Sequence, residues 1–182
     1  MRALAVMSVA FVLSVISTDL AWSQRPSQPA PPGGLESPIG RVLSVSGTVT
    51  VDRTVLTVSQ AAVTGAGIQL KDGDLVYRGD TIQTAAESKA SLAFADGTAF
   101  NVSSNARMVL NEFVYDPDSK SNSSFYSLIK GAFTFVAGKV AKTGSMKVDT
   151  PAATMGIRGT TPHVVIAEDG TVKFSTLVEE QK

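Results

Sequence analysis

The sequence predicts an all-β fold, because its local patterns are those of strands and turns. From Ile39 onward, apolar residues recur mostly with a period of two, as Leu92 and Phe94 do, and this alternation is typical of half-buried strands. Asp-Gly pairs, which can supply the positive φ angles of tight turns, lie between apolar runs at Asp72-Gly73, Asp96-Gly97 and Asp169-Gly170. No long segment free of Gly and Pro has the apolar periodicity of an amphipathic helix.

The strands can be assigned in chain order from this alternation. Valines on both sides of Gly47 predict a first pair of strands, and apolar residues between 92 and 102 predict a second pair. Further strands are predicted over Arg107–Tyr115, Ser124–Ile129, Ala132–Ala137, Met146–Val148, His163–Ala167 and Thr171–Leu177. A polar loop of about eight residues begins at Asp116. About a dozen short strands fit a sandwich, a β-roll or a solenoid-like coil, and local pattern does not separate these architectures.

The N-terminal residues have the features of a secretory signal peptide. Arg2 precedes an uncharged, mostly apolar run over residues 3–17, which is shorter than the roughly 20 residues needed to span a bilayer. The small residues Ala21 and Ser23 form a signal-peptidase site. We therefore expect residues 1–23 to be a signal peptide that is cleaved after Ser23. The mature protein is then expected to be periplasmic or secreted, with no transmembrane anchor.

Residues 24–38 predict a Pro-rich linker between the signal peptide and one folded domain. This segment contains five of the eight prolines, together with Gly33 and Gly34. Proline is excluded from helix interiors and central strands, so the segment is expected to be an extended tether. Residues 39–182 are predicted to form a single domain, which is long enough to bury a core without disulfides.

Composition excludes several functional classes. The chain has 16 Lys plus Arg against 16 Asp plus Glu, one His and no Cys. This balance argues against a surface that grips nucleic acid through its overall field. Without cysteine there is no disulfide scaffold, thiolate metal site or cysteine nucleophile. Phosphate-loop, zinc-hydrolase and nucleophile-elbow motifs are missing as well, so we expect no cofactor, no metal and no catalytic residue.

Several motifs follow one another in an order that is found in a known family. They are Gly40-Arg41-Val42 with Gly47-Thr48-Val49-Thr50-Val51, the run from Gly73-Asp74 to Thr84, the run from Lys89 to Thr98, the turn Gly131-Ala132-Phe133, Val148-Asp149-Thr150-Pro151, and Gly156-Ile157-Arg158-Gly159-Thr160-Thr161. Together they resemble the FecR-type domain of bacterial envelope proteins over residues 39–182. The resemblance implies an all-β envelope module that senses or binds a partner and is not an enzyme. Relatives that bind sigma factors have a cytoplasmic segment and a transmembrane helix. A signal peptide stands in their place here, which implies a stand-alone exported form.

The residue types in these motifs also have structural explanations of their own. Glycine supplies bends or lets backbones approach closely, and an aspartate beside it can cap backbone N–H groups. Thr150-Pro151 forces an extended approach to the glycines that follow. On these grounds we interpret the following residues as an architectural motif: Gly73, Asp74, Gly79, Asp80, Asp96, Gly97, Thr150, Pro151, Gly156, Gly159 and Thr160.

Some of the polar residues also admit functional hypotheses. Asp72, Asp74 and Asp80 could offer oxygen ligands to calcium, but the loop pattern that ends in a bidentate Glu is missing, and turn capping is favoured. Arg78-Gly79-Asp80 spells an adhesion tripeptide inside a strand-turn motif that already explains it. His163 has no companion residues at a suggestive spacing, so it is expected to be a surface or half-buried residue.

Residues 130–158 carry a local excess of positive charge. The cations are Lys130, Lys139, Lys142, Lys147 and Arg158, and Asp149 is the one acidic residue among them. If these cations share a face, an anionic partner such as a polysaccharide could dock there. Alternating strand positions would instead place them on different solvated surfaces, and this interpretation is favoured.

We therefore expect a non-catalytic binding or regulatory module that engages an envelope protein or polysaccharide, and no nucleic acid, through an exposed β surface. Strand addition at an unpaired sheet edge and glycan docking on the basic segment are both compatible with this expectation. Two other classes stay open. One, implied by the resemblance because some sensor relatives self-cleave at a Gly-Thr bond in this region, is a self-processing protein, in which the Thr160 hydroxyl attacks the carbonyl of Gly159 and the Gly159–Thr160 peptide bond is cleaved. The other is a structural envelope or matrix component.

Overall fold

The computed structural model describes residues 37–55, 63–159 and 161–176, which contain 13 strands and one short helix. The strands before the long central one are β1 Gly40–Ser46, β2 Val49–Val55, β3 Val63–Gln69, β4 Leu75–Val76, β5 Thr81–Thr84, β6 Lys89–Phe94, β7 Ala99–Val102 and β8 Arg107–Val114. The remaining elements are β9 Ser123–Val136, α1 Lys139–Thr143, β10 Ser145–Asp149, β11 Thr154–Ile157, β12 Pro162–Ile166 and β13 Val172–Thr176. The prediction of an all-β fold is confirmed.

Strand β9 joins two half-sheets. Its first part, residues 123–130, pairs with antiparallel β8 and with parallel β10. Its second part, residues 131–136, pairs with antiparallel β7 and β12. The β8 half therefore runs β3-β2-β5-β8-β9-β10-β11, and the β6 half runs β4-β1-β6-β7-β9-β12-β13. The sequence left a sandwich, a β-roll and a solenoid-like coil open. The observed strand order describes one curled sheet whose two halves share β9.

A bend at Gly131 lets β9 take part in both halves. Gly131 has a φ of +101°, and a Cβ at this position would lie 2.4 Å from the Cβ of Ala106. Only glycine combines such a φ with so close a neighbour at little cost. The sequence predicted two separate strands, Ser124–Ile129 and Ala132–Ala137, whereas the structure has one continuous strand with this bend.

The two half-sheets face each other across a common core. Phe94 and Phe100 of the β6 half contact Tyr126 of the β8 half, with ring centroids 5.2 and 5.0 Å apart. Phe100 also stacks on Phe135 at 4.5 Å. Such buried rings remove much apolar surface from water and dominate the energetics of a core. Several strands of the core show the predicted alternation, as in Lys89–Phe94, where every second residue is buried.

The turns agree with the sequence in conformation and differ in one connection. Gly73, Gly97 and Gly170 all have a positive φ. The Asp96-Gly97 turn closes the β6–β7 hairpin and the Asp169-Gly170 turn closes the β12–β13 hairpin. The Asp72-Gly73 turn instead carries the chain from β3 in the β8 half to β4 in the β6 half, because β3 pairs with β2 and β4 with β1.

The short helix α1 was not predicted, since five residues are too few to show an apolar period. Within residues 37–55, 63–159 and 161–176, no helix is long and apolar enough to cross a membrane. The predicted signal peptide, 1–23, lies outside the described residues, and so do residues 24–36 of the predicted linker.

Candidate functional site

The aspartates of the Gly73–Asp80 motif are used inside the fold. Asp72 accepts a hydrogen bond from the Val45 N–H at 2.7 Å, and Asp74 accepts one from the Lys71 N–H at 2.8 Å. These are the capping contacts that the turn interpretation expects. Among the residues that the structure describes, no group of three His, Cys, Asp or Glu side chains could hold a metal ion.

The buried Asp80 forms an ion pair with the partly exposed Arg53, which lies 27 positions earlier in the chain. The guanidinium Nε and Nη2 each donate to one carboxylate oxygen at 2.7 Å. The hydrogen bond that Arg53 donates to Asp80 raises the pKa of Arg53. Arg53 also lies over the ring of Tyr77, 4.4 Å from its centroid, and the Tyr77 N–H donates to Asp80 at 2.9 Å. Because Asp80 is fully buried, it cannot present the adhesion tripeptide to a receptor.

A second buried carboxylate, Asp96, holds the start of α1. It accepts hydrogen bonds from the N–H and the hydroxyl of Thr98 at 2.9 and 2.8 Å, and from the Val140 N–H at 3.2 Å. Its backbone carbonyl accepts from the Lys139 N–H at 2.9 Å. This network connects the Asp96-Gly97 turn to a helix more than 40 positions later in the chain, and its role is structural.

Tyr126 carries a polar group that the core does not satisfy. Its hydroxyl and the hydroxyl of Ser124 are both buried, and neither has a hydrogen-bond partner within the described part of the chain. Burial, together with the negative charge of Asp96, raises the pKa of Tyr126. The Ser124 hydroxyl opposes this shift, although the two hydroxyls do not meet the geometry of a hydrogen bond. Neither group is exposed to a substrate.

The β10–β11 hairpin contains most of the remaining motif residues. Its turn begins at Thr150-Pro151, where the Thr150 N–H and hydroxyl both donate to the Ala153 carbonyl, at 3.0 and 2.8 Å. Gly159 has a φ of +61°, which fits a bend. Gly156 has neither a positive φ nor a close neighbour, since a Cβ there would meet no atom within 4 Å. The close-approach interpretation of Gly156 is therefore wrong, and its surroundings are open.

The self-processing hypothesis concerns a residue that the structure does not describe. Thr160 lies outside the described residues. Gly159, which precedes it, is exposed and makes no close contact at the Cβ position. A bend at Gly159 agrees with a structural turn as well as with a reactive one, so the self-processing hypothesis stays a prediction.

The register of the β8 half places the outward side chains of four strands in a grid. One row contains Glu112 on β8, Phe125 on β9, Lys147 on β10 and Gly156 on β11, since these are paired positions. The next row contains Ser123 and its partner Ser145. Lys147 is exposed and Phe125 is half-buried. This grid is the outer face of the β8 half, on the side opposite the core.

Two neighbouring grooves lie on this outer face. The first has a volume of about 400 Å³ and is lined by Glu112, Ser123, Ser124, Phe125, Ser145, Lys147 and Thr154. The second has a volume of about 370 Å³ and is lined by Gly144, Ser145, Met146, Gly156, Ile157 and Arg158. They share Ser145. We call these two grooves together the hairpin surface.

The predicted basic residues are divided between different places. Lys147 and Arg158 line the hairpin surface. Lys139 and Lys142 are exposed on α1, which ends directly before β10. Lys130 pairs with Arg107 and lies five positions along β9 from Phe125, a separation of roughly 16 Å in a strand. The structure thus brings two of the five cations together and places Lys130 apart from them.

His163 belongs to a different surface. It is half-buried on β12, and its Nδ1 lies 2.7 Å from the hydroxyl of Thr134 on β9. Its cross-strand neighbours on the other side include Ser175. This agrees with the expectation of a half-buried histidine.

Sequence reasoning did not find Phe125, Ser145 and Thr154 as candidate surface residues. Phe125 lies in an alternating apolar pattern that predicts a strand but does not indicate which face of the strand points outward. The parallel pairing of β10 with β9 brings these residues together, and local sequence carries no signal for a parallel pairing between segments about 20 residues apart.

The fold defines an all-β domain that presents an exposed hairpin surface outside a packed core. The sequence profile of the family described as FecR protein matches residues 80–178, which is more than half of the chain. The chain therefore belongs to the FecR protein family. This is a family of regulatory and signalling proteins of the cell envelope, and it is in general not enzymatic. No curated protein and no solved structure matches the chain.

Proposed function

We propose that this chain is an exported regulatory module that binds an envelope protein by strand addition at β11, without catalysing a reaction. Membership of the FecR family supports the regulatory role. The N-terminal pattern of a charged residue, an apolar run and small residues at 21 and 23 supports export to the periplasm or the exterior. The single observation that carries the choice of β11 is its unprotected backbone edge.

Four strands have only one neighbour among the described residues, namely β3, β4, β11 and β13. Proteins protect such edges with bulges, very short strands or charged side chains. β3 has an extra residue at Gly67, whose φ is positive. β4 has two residues, and β13 carries the exposed Lys173. β11, Thr-Met-Gly-Ile, has neither a bulge nor a charge.

The pairing of β10 with β11 determines which groups of β11 remain available. The Thr150 N–H donates to the Ala153 carbonyl, so this pair closes the hairpin. Hydrogen-bonded and non-bonded pairs alternate in an antiparallel ladder, and the bonded pair that follows is Val148 with Met155. Thr154 and Gly156 therefore direct their N–H and C=O groups away from β10. A partner strand can pair with these four groups.

The surroundings of β11 can also accept the side chains of an added strand. The groove lined by Ser145, Gly156 and Arg158 lies beside the edge. Gly156 contributes no side chain, and a Cβ there would have open space around it. In strand addition, backbone pairing supplies affinity, whereas grooves that take alternate side chains supply specificity.

Site-specific photo-crosslinking in the native host tests the proposal. A photoreactive amino acid at Thr154 should give a discrete adduct with one envelope protein, and the same residue at Thr176 on the β13 edge should not. In the purified complex, the amide protons of Thr154 and Gly156 should exchange at least tenfold more slowly than in the free protein, because backbone pairing protects them.

A matched pair of proline variants completes this test. Thr154→Pro removes an N–H that points away from β10, which an edge strand tolerates, and it should abolish the adduct. Thr176→Pro makes the same change on the β13 edge and should preserve it. The proposal is overturned if no adduct forms at Thr154, if Thr176 gives the same adduct, or if the Thr154 and Gly156 amides stay unprotected in the complex. N-terminal sequencing of the mature protein checks export, and a chain that begins at Met1 would contradict it.

A further inference from the structure

The hairpin surface contains a small basic notch. Lys147 and Gly156 are cross-strand partners on β10 and β11. Arg158 follows β11 and lines the adjacent groove with Ser145 and Gly156. The floor between the two cations is therefore made of a glycine and a serine, which leave room for a ligand group. No described residue forms an ion pair with Lys147 or Arg158, so both charges are available to an acidic group.

An aromatic ring and several hydroxyls lie directly beside this notch. Phe125 is the partner of Lys147 on β9 and is half-buried. Ser123, Ser145 and Thr154 line the same groove. A fixed ring packs well against the C–H face of a sugar, while hydroxyl groups bond to sugar hydroxyls in either direction. The groove volume of about 400 Å³ is in the range that holds a small ligand.

The carboxylates on this face determine which anions fit. Glu112 lies on the far side of Phe125 from Lys147, and it accepts a hydrogen bond from the Ser123 hydroxyl. Asp149 is two positions from Lys147 and accepts a hydrogen bond from the Thr154 hydroxyl. A polyanion laid across the groove would meet both negative charges, which disfavours it. A ligand with one acidic group and many hydroxyls meets cations at one end and acceptors at the other.

We propose that the hairpin surface binds an acidic saccharide. Its carboxylate or phosphate lies between Lys147 and Arg158, above Gly156, and its ring packs on Phe125. Arginine and lysine hold such anions through charge-assisted hydrogen bonds, and the hydroxyls of Ser123, Ser145 and Thr154 orient the sugar. This inference goes beyond strand addition, because it uses the outward side chains of β9, β10 and β11 and not the backbone edge of β11.

Isothermal titration of the mature protein at low ionic strength tests the proposal with four probes. Galacturonate carries one carboxylate, galactose 6-phosphate carries a phosphate instead, maltotriose is neutral, and a triglutamate peptide is acidic without a sugar. We expect binding of one or both acidic sugars, at least tenfold weaker binding of triglutamate, and no binding of maltotriose. The preference between the two acidic sugars distinguishes a carboxylated sugar from a phosphorylated sugar.

Three variants and one control locate the site. Lys147→Gln and Arg158→Gln should each weaken acidic-sugar binding about tenfold, the effect of losing one charge-assisted hydrogen bond. Phe125→Ala should weaken sugar binding by a similar factor and leave the weak binding of triglutamate unchanged. Lys130→Gln removes a cation of the same type from a distant part of β9 and should leave affinity unchanged. Raising the ionic strength should weaken binding of the acidic sugars.

Several results would overturn the proposal. It fails if neither acidic sugar binds, if triglutamate binds as tightly as the sugars, or if Lys130→Gln weakens binding as much as Lys147→Gln. A Phe125→Ala variant that binds the acidic sugars as tightly as the wild type would show a simple anion site without a sugar subsite. Phe125 and Lys147 lie on inner strands, so these results leave the crosslinking test of strand addition at Thr154 unaffected.

Discussion

Two regions of the molecule use glycine and charged residues in opposite ways. In the packed region, which comprises the core with the bend at Gly131 and the Arg53–Asp80 pair, the glycine and the charged groups each meet a close neighbour inside the protein. In the open region, the β10–β11 hairpin with Arg158, Gly156 has no neighbour within 4 Å of its Cβ position. Lys147 and Arg158 have no ion-pair partner in the part of the chain that the structure describes.

This difference separates structural motif residues from available ones. Both regions contain residues of the motifs that carry the family resemblance, such as Asp80 and Gly156, and the resemblance alone gives these residues equal weight. Asp80 is not available to a ligand, because its two carboxylate oxygens accept hydrogen bonds from Arg53 and Tyr77 inside the fold. The hairpin instead has an unpaired backbone edge at β11, open space above Gly156, and two cations, Lys147 and Arg158, without an ion-pair partner among the described residues. Binding is therefore expected in the open region, and mutations in the packed region are expected to act through stability.

Alanine substitutions of Gly131 and Gly156 sharpen this comparison most. Gly131→Ala places a Cβ at 2.4 Å from that of Ala106 in a backbone with a φ of +101°. We expect it to lower the free energy of unfolding by about 4 kcal/mol, from strain and overpacking together. Gly156→Ala adds a methyl group in open space and should change stability by less than about 0.5 kcal/mol. Urea denaturation measures both, and similar losses at the two sites would contradict the division into regions.

Charge removal makes the second comparison. Asp80→Asn leaves the Arg53 guanidinium without its carboxylate, and we expect a loss of about 2 kcal/mol in unfolding free energy. The expected loss is moderate because the Arg53 side chain is 23% exposed and can recover some hydration. Asp149→Asn makes the same change on the outer face of the hairpin and should cost less than about 0.5 kcal/mol. Equal midpoints in urea for the two variants would show that the Arg53–Asp80 pair contributes nothing net.

Much of the fold could be predicted from local sequence. The strands around Arg107–Val114 and Pro162–Ile166 follow from alternation, and the turns at Asp96-Gly97 and Asp169-Gly170 follow from their residue types. The continuity of β9 could not be predicted, because a glycine inside an apolar run reads as a break. Before the bend β9 pairs with β8 and β10, and after the bend it pairs with β7 and β12, so pairing on both sides of Gly131 keeps the strand continuous.

Long-range contacts explain what local pattern missed at the candidate site and around α1. The Asp96 carboxylate accepts a hydrogen bond from the N–H of Val140, 44 positions later, at the start of the helix. The five residues of the helix are too few for an apolar period that would predict it. Lys147 and Arg158 were among the predicted cations. Their neighbours Phe125 and Ser145 were not predicted as surface residues of the site. Parallel pairing, and not sequence spacing, brings these residues to the same grid.

Tyr126 is an exception within the packed region, and it gives the smallest expected effect. Its buried hydroxyl has no partner among the described residues, so Tyr126→Phe removes a desolvated polar group while keeping the ring that packs on Phe94 and Phe100. We expect the variant to be more stable than the wild type by about 1 kcal/mol near neutral pH. Tyr115→Phe, at a half-buried position, is the matched control and should be close to neutral.

The pH dependence of stability tests the same hydroxyl independently. Burial raises the pKa of Tyr126 in the folded state, so above roughly pH 10, where an unfolded tyrosine ionises, the folded protein retains a proton that the unfolded chain has lost. The unfolded state then binds fewer protons, and stability falls as pH rises, by up to about 1.4 kcal/mol per pH unit from this group. Tyr126→Phe should remove this part of the alkaline slope in urea titrations between pH 9 and 11, whereas Tyr115→Phe should keep it. Parallel slopes for wild type and Tyr126→Phe would mean that the hydroxyl reaches water or a partner, and the packed region would then be satisfied throughout.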